Sequence, residues 1–270
     1  MNREIFFLPA GEGEQRLCIF HSPATQTVGR VLYLHPFAEE MNKTRRMASL
    51  AARAMAQAGY AVLQMDLRGC GDSSGDFHQA SWASWQDDVR LGLTWLDCHA
   101  GDSPLWLWSL RASSLLASEA WGRAVNHLFW QPVTSGQLAL QQFLRMKMAA
   151  ELGGGQKKGV VQTLKQQLAG GEAVEVAGYR LSPDLANGLE TARLVPAGPA
   201  ARVEWIDITS RAMGGPSAVV FAPVVQQAMN TWHDAGWRVA ARQVVGPSFW
   251  ASTEIETSPA LIDASLEALL

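Results

Sequence analysis

Three segments at the ends of predicted strands contain the residues that could do chemistry. They are 35–40 (HPFAEE), 66–73 (DLRGCGDS) and 106–113 (WLWSLRAS). Ligands of open α/β sheets bind at the carboxyl ends of the strands, so residues that follow strands are expected to meet in one cleft. Together the segments offer an imidazole, carboxylates, serine hydroxyls and guanidinium groups. This set suits either acyl-group chemistry or the binding of an anion.

The elements that must position these segments are short apolar runs that alternate with helical patterns. Strands are predicted at residues 5–8, 16–21, 28–35, 60–67, 105–109, 125–130, 202–209 and 237–245. Apolar residues at helical spacing predict helices at residues 43–58, 82–96, 112–121, 218–235 and 259–270. The alternation predicts an α/β fold with a mostly parallel central sheet flanked by helices on both faces.

The segment between residues 132 and 200 differs from the rest in composition. Gln, Gly and Ala are frequent in it, and glycine runs at 153–155 and 170–171 interrupt two predicted helices at 138–152 and 160–168. We therefore predict a helical lid insertion at 132–200. It would separate a first part of the core, 1–131, from a second part, 201–270.

The element order, the His-Pro turn, the D-x-R-G-x-G-x-S turn and the insertion resemble the α/β-hydrolase superfamily, near its serine-aminopeptidase-like branch. More narrowly, the chain resembles the exosortase A system-associated hydrolases of type 2. The similar blocks are 35–46 (HPFAEEMNKTRR), 142–145 (QFLR), 177–179 (AGY), 249–250 (FW) and 254–255 (EI). The resemblance implies an α/β-hydrolase fold with a lid, in a bacterial protein linked to exosortase and exopolysaccharide gene clusters. A protein of that system would then be a partner.

The nucleophile of the superfamily lies in G-x-S-x-G, at a strained strand-to-helix turn beside an oxyanion hole. The matching residues here are Ser109-Leu110-Arg111-Ala112-Ser113, so Arg111 stands at the nucleophile position. A guanidinium stays protonated and cannot attack a carbonyl carbon. A shifted frame would make Ser109 or Ser113 the nucleophile, with His35 or Glu40 as its base. That alternative predicts an active ester or acyl hydrolase.

The other two triad positions also lack their usual residue types. The superfamily's base follows the last strand, but no histidine lies beyond His233, and that loop reads Gly246-Pro247-Ser248-Phe249-Trp250. The loop after strand 202–209 reads Ser210-Arg211-Ala212-Met213-Gly214, without a carboxylate, while Asp207 lies inside the strand pattern. A serine without a base is a weak nucleophile at neutral pH. We therefore predict a degenerate triad, as in a pseudoenzyme.

Arg111 has two interpretations. It begins a predicted helix, where free N–H groups and the helix dipole favour an anion, so the cleft would bind an acidic small molecule. An acidic sugar, a phosphate ester or a carboxyl terminus would fit. Alternatively, Arg111 forms an internal ion pair with Glu39, Glu40 or Glu254. Either way, a buried guanidinium requires an anion beside it.

The remaining assignments concern the walls of the cleft. The turn His35–Phe37 resembles the oxyanion-hole turn, and the segment Ser248–Trp250 stands where the base loop would be. Ligand contact is predicted for His35, Pro36, Phe37, Glu39, Glu40, Ser248, Phe249, Trp250 and Glu254. The basic residues Lys43, Arg45 and Arg46 are expected on a solvated helix face or in ion pairs, with an anion-binding rim as the alternative. A third hypothesis for function is a protein-interaction module that docks through the lid.

Composition excludes several classes of protein. Of the 270 residues, 48% are hydrophobic and 17% charged, which argues against a disordered chain. A net charge of −3 without a basic run argues against nucleic-acid binding. No long uncharged apolar run and no signal peptide are found, so no membrane span is predicted. Three scattered cysteines without a C-x-x-C motif predict no metal site, no cofactor and a reducing, cytoplasmic location.

Overall fold

The computed structural model describes residues 2–119, 121–151, 159–210 and 221–270. Its centre is an eight-stranded sheet with buried side chains packed on both faces, which confirms the predicted α/β class. In chain order the strands are β1 (Arg3–Pro9), β2 (Gln15–His21), β3 (Gly29–Leu34), β4 (Tyr60–Met65), β5 (Leu105–Leu110), β6 (Asn126–Trp130), β7 (Val174–Val176), β8 (Tyr179–Leu181), β9 (Arg202–Thr209) and β10 (Arg238–Val245).

The order of strands in the large sheet is β1-β2-β4-β3-β5-β6-β9-β10. The strand β2 pairs antiparallel with β1 and β4, and all other pairs in this sheet are parallel. Every residue of β3 and β5 is buried, as expected for central strands covered on both faces. The parallel strands therefore end at one edge, and the segments that follow β3, β4 and β5 meet there.

The helices are α1 (Glu39–Gln57), α2 (Trp82–His99), α3 (Gly136–Glu151), α4 (Val160–Ala169), α5 (Pro183–Thr191), α6 (Pro223–Asp234) and α7 (Pro259–Leu269). Buried residues of α1 and α7 share a cluster with Trp106 and Trp108 of β5. Buried residues of α2 and α6 share the opposite cluster with Leu105 and Leu107. Because successive side chains of β5 point to opposite faces of the sheet, this strand contributes to the hydrophobic cluster on each face.

The structure differs from the sequence prediction directly after β5. A helix was expected at 112–121, but residues Arg111–Ala117 form a short 3₁₀ helix. The hydroxyls of Ser113 and Ser114 explain the difference, because each bonds to a carbonyl oxygen three residues earlier. Such side chain–backbone bonds compete with a regular α-helix.

The insertion contains more than the two predicted helices. A hairpin of β7 and β8 turns at Ala177-Gly178, and the short helix α5 follows it. The hydroxyl of Ser182 accepts from the N–H of Leu185 and so caps α5, and it also lies 2.7 Å from the carbonyl oxygen of Ala80, to which it donates. That second bond joins the insertion to the segment before α2. The predicted end of the first lid helix, at residue 152, lies outside the described residues.

Two other predicted helix starts are corrected. The helix α1 begins at Glu39, four residues before the predicted start, so the glutamates of the first segment belong to its first turn. The helix α6 begins at Pro223, and the predicted residues 218–220 lie outside the described part of the chain. None of the helices in the described ranges is long and apolar enough to cross a bilayer.

Candidate functional site

The bend after β5 holds Arg111 in an unusual backbone conformation. Its φ angle is +59°, a left-handed value that costs energy for any residue with a side chain. The N–H of Val133 bonds to the carbonyl oxygen of Arg111, and the Ser114 hydroxyl lies 2.8 Å from the same oxygen. These bonds hold the bend, and Arg111 therefore stands at the tip of a strained strand-to-helix turn.

The guanidinium of Arg111 has two neighbours. Its Nε donates to Oε1 of Glu40 across 3.3 Å, and its Cζ lies 5.4 Å from the centre of the Trp250 ring. Its side chain is 19% exposed. No residue in the described ranges accepts a hydrogen bond from the two terminal amino groups, which leaves four N–H donors open.

Glu40 is the carboxylate that faces this cation. It lies in the first turn of α1, two residues after Ala38, whose φ angle is also positive at +49°. Burial raises the pKa of Glu40, while the adjacent charges of Arg111 and Lys43 act in the opposite direction. Of the three partners that the sequence offered for Arg111, the structure brings Glu40 into contact. Glu39 instead lies 4.0 Å from Lys43, and Glu254 is exposed.

A cavity of about 250 Å³ adjoins the Arg111–Glu40 pair. One of its ends is charged, with Arg111, Glu39 and Glu40, and the remaining walls are mostly apolar. The apolar walls and one amide come from both core and insertion, namely Phe37, Ala112, Val133, Ala139, Gln142, Phe143 and Met146. The charged end of the cavity thus holds one guanidinium and two carboxylates, and the rest of its wall is mostly apolar.

The insertion residues on this wall were not assigned to the site from the sequence. Gln142, Phe143 and Met146 lie on α3, which packs across the end of the sheet. The ring of Phe143 meets that of Phe37 edge to face, with centroids 5.1 Å apart. The block 142–145 had been noted for its resemblance, and that was the one available signal for this wall.

The two alternative nucleophiles, Ser109 and Ser113, both have buried side chains. Ser109 is fully buried inside β5, and its hydroxyl has no hydrogen-bond partner among the described residues. Ser113 is buried, accepts from the N–H of Leu110 and lies 2.8 Å from the Leu34 carbonyl oxygen, to which it donates. Neither hydroxyl lines the Arg111 cavity or has a base beside it. In the described ranges neither serine thus has the exposed, base-activated hydroxyl that the shifted frame requires.

His35 does not line the Arg111 cavity. It is buried, its Nδ1 lies 2.9 Å from the carbonyl oxygen of Pro36, and its Nε2 accepts from the N–H of Leu67. Burial also lowers the pKa of His35, so the ring stays neutral and both nitrogens serve the backbone. Pro36 is likewise buried, whereas the neighbouring Phe37 does reach the cavity wall.

The loop after β10 contributes one residue to the site. Trp250 is buried and presents its ring to Arg111, while Phe249 is fully buried and packs against Trp130. Ser248 is exposed, and its carbonyl oxygen accepts from the N–H groups of Ala251 and Ser252. Of this loop, Trp250 thus contacts Arg111, whereas Phe249 is a core residue.

Among the described residues, the carboxylate that contacts Arg111 is Glu40 of α1, and no histidine lies beside it. All six histidines lie within the described residues, and none contacts Arg111, Ser109 or Ser113. Asp207 remains half-buried on β9, where it accepts from the Trp205 indole N–H at 2.9 Å and burial raises its pKa. Of the predicted acid loop, Arg211 to Gly214 lie outside the described residues.

The turn after β4 is held by a network of its own. Asp66 bonds to Arg45 at 2.8 Å, its carbonyl oxygen accepts from the Ser73 hydroxyl, and Asp88 accepts from the N–H of Arg68. None of these residues lines the Arg111 cavity. In the described part of the chain no three potential metal ligands form a cluster.

Solved structures with the α/β-hydrolase fold match nearly the whole chain. Est1E from Butyrivibrio proteoclasticus with bound ferulic acid is 12% identical, with a TM-score of 0.60, and the match covers 98% of this chain and 96% of Est1E. XC6422 from Xanthomonas campestris, a serine hydrolase without a lid, is 14% identical, with a TM-score of 0.55, covering 100% and 92%. Alpha/beta hydrolase domain-containing protein 10 from mouse is 15% identical, with a TM-score of 0.59, covering 98% and 96%.

These similarities confirm the predicted α/β-hydrolase fold. At such identities they show the fold alone, and a shared fold does not determine function. No protein-family model and no curated protein matches the sequence.

Proposed function

We propose that this chain is a non-hydrolytic member of the α/β-hydrolase fold that binds a small amphiphilic anion in the former catalytic cleft. The observation that carries the proposal is the guanidinium of Arg111 at the tip of the strained bend, with its terminal amino groups open. A planar guanidinium binds carboxylate or phosphate with two parallel hydrogen bonds. The anionic group of the ligand would therefore lie on Arg111.

The apolar walls of the cavity define the rest of the ligand. Phe37, Val133, Phe143 and Met146 would enclose a short aliphatic or aromatic body. The ferulic acid bound to Est1E is a carboxylic acid with an aromatic body, which is the class of molecule we propose here. Burying both parts together favours an amphiphile over a sugar or a simple salt.

The loss of hydrolysis follows from the residue types. A protonated guanidinium is no nucleophile, and the nearby serines are buried without an imidazole. Enzymes that lose triad members retain only the rate enhancement that substrate binding and the oxyanion hole provide. The proposal therefore assigns the cleft to binding rather than turnover.

We further propose that the chain acts in the exosortase and exopolysaccharide system, with a protein of that system as its partner. The resembling sequence blocks support this setting because they converge on one region. The first block contributes Phe37 and Glu40 to the cavity and the second contributes Phe143. The first and third are joined by the hydrogen bond from Asn42 to the Tyr179 hydroxyl. A cytoplasmic location is part of the same proposal and fits the three free thiols.

Isothermal titration with octanoate and its neutral analogue octanamide tests the binding function. We expect octanoate to bind more tightly, and Arg111→Met to weaken octanoate binding by about tenfold or more while leaving octanamide unchanged. The control is Arg53→Met, because Arg53 is an exposed arginine of α1 outside the cavity. The assignment of Arg111 would be refuted if octanoate and octanamide bound with equal affinity. It would also be refuted if Arg111→Met and Arg53→Met lost octanoate affinity equally.

A serine-directed fluorophosphonate tests the absence of hydrolysis independently. We expect no stoichiometric labelling of the folded chain, since no serine in the described ranges hydrogen-bonds to a histidine that would activate it. Stoichiometric labelling at one serine would instead establish a nucleophile and overturn the non-hydrolytic proposal.

A further inference from the structure

A second cavity, of about 310 Å³, lies between α1 and the strands β2, β3 and β4. It shares no lining residue with the cavity at Arg111. Its walls include the side of α1 that carries Met41, Arg45 and Ala48. Its volume falls at the lower end of the range found for small-molecule sites.

The inner walls of this second cavity are aliphatic. Leu17 and Ile19 share one face of β2, and both are only half-buried although neighbouring residues of the strand are buried. Met41 and Met65 complete the wall, and methionine adapts readily to the shape of a ligand. The apolar side chains of Leu17 and Ile19 therefore face the second cavity and are not covered by other side chains of the described residues.

The polar end of the second cavity carries a net positive charge. Arg45 pairs with Asp66 at 2.8 Å, and the pair sits so close to the Gly71 backbone that a Cβ there would overlap both side chains. Arg46 is exposed and forms no ion pair within the described residues. Two guanidinium groups face one carboxylate, and His35 is neutral, so the lining residues sum to one positive charge.

We propose that this second cavity binds a small monoanion with a compact apolar body, whose charged group contacts Arg45 and Arg46. An apolar cavity of about 150 Å³ holds a benzene ring, so this cavity suits a body of about two fused rings or an equivalent branched chain. The anion would supply the acceptor that Arg46 lacks. The Arg45–Asp66 pair, packed against Gly71, would keep Arg45 in place before the ligand arrives.

Titration with 1-naphthoate and its neutral isostere 1-naphthamide tests the site. We expect naphthoate to bind more tightly than naphthamide, and Arg46→Gln to weaken naphthoate binding by about threefold to fivefold, as for a partly exposed charge contact. The matched control is Arg53→Gln, which removes one charge from the same helix two turns further on and should leave the affinity within about twofold.

A blocking variant tests the location of the ligand body. Ser49 lines the cavity and is half-buried, so Ser49→Phe should fill the space and weaken naphthoate binding by about tenfold or more. Ile19→Trp, on the facing strand, is the second blocking variant if Ser49→Phe melts at a lower temperature than the native chain.

Arg111→Met distinguishes the two sites, because it should abolish any naphthoate binding in the cleft and leave binding at the second cavity in place. Loss of all naphthoate binding in Arg111→Met would place the ligand in the cleft and overturn the second site. Unchanged affinity in both blocking variants would overturn it too, as would equal effects of Arg46→Gln and Arg53→Gln.

Discussion

An arginine at the tip of the bend after β5 changes what the cleft can attract. The strained backbone that would expose a nucleophile here exposes a permanent cation, and Trp250 lies beside it at cation–π distance. Among the described residues, Arg111 makes one side-chain hydrogen bond, from Nε to Glu40, and its terminal amino groups have no acceptor. The negative charge of Glu40 therefore weakens the attraction of Arg111 for an incoming anion without occupying those amino groups.

The charge of Glu40 predicts a pH dependence of anion binding. Burial raises the pKa of Glu40, so its carboxylate takes up a proton above its ordinary range as the pH falls, and the protonated acid holds Arg111 less strongly. We expect the affinity for octane-1-sulfonate, which itself stays ionised, to rise as the pH falls from 7 towards 5.

The variant Glu40→Gln should bind the sulfonate more tightly at pH 7 and lose this rise. The control is Glu39→Gln, which removes a carboxylate from the same cavity wall without touching Arg111. Weaker binding by Glu40→Gln would mean that Glu40 orients the guanidinium instead of weakening its attraction for anions.

At the scale of elements, the sequence predicts the sheet well and its connections less well. The central strands β3, β4 and β5 are nearly continuous apolar runs, and the other strands of the large sheet are also rich in apolar residues, so all eight were found within a few residues. The strands β7 and β8 were missed because three residues are too few for an alternating pattern. Their Ala177-Gly178 turn, with φ angles of +50° and +82°, was the usable hairpin signal.

The candidate site also contains one part that the sequence predicts and another that it does not. Arg111 at the bend follows from local sequence, since a strand, a turn and a motif frame are enough to find it. The choice of Glu40 over Glu254, and the contribution of Phe143, depend on how α1 and α3 cross the end of the sheet. Periodicity along a helix specifies its buried face but not the element that this face meets, so these contacts needed coordinates.

The turn after β4 predicts a sharp difference between two glycines. Gly71 has a φ angle of +55°, and a Cβ there would overlap Asp66 and Arg45, whereas Gly101 has a φ angle of +72° and nothing within 4 Å. Gly101→Ala should cost about 1 kcal/mol of unfolding free energy, from backbone conformation alone. Gly71→Ala should cost about 2 kcal/mol more, because Asp66 and Arg45 must move away from the added Cβ. Urea denaturation measures both, and similar losses would contradict the role of the pair.

At the scale of the whole molecule, stability depends on a histidine far from the cleft. His127 is fully enclosed on β6 by Phe129, Trp232 and Trp237, and its Nδ1 has no partner among the described residues. Burial lowers the pKa of His127 from 6.5 to about 3. The aromatic enclosure joins β6 to α6, so protonation of this ring opposes the packing of that helix.

The sign of the effect follows from proton uptake. Between pH 6.5 and 3 the unfolded chain binds a proton at His127 that the folded chain does not, so the folded state loses stability as the pH falls through this window. The loss is about 1.4 kcal/mol per pH unit for one such group. Chemical denaturation at pH 7 and pH 5 should show this loss for the native chain and a smaller one for His127→Phe. The exposed His233 is the control, and an equal pH dependence in His127→Phe and the native chain would assign the acid sensitivity to other groups.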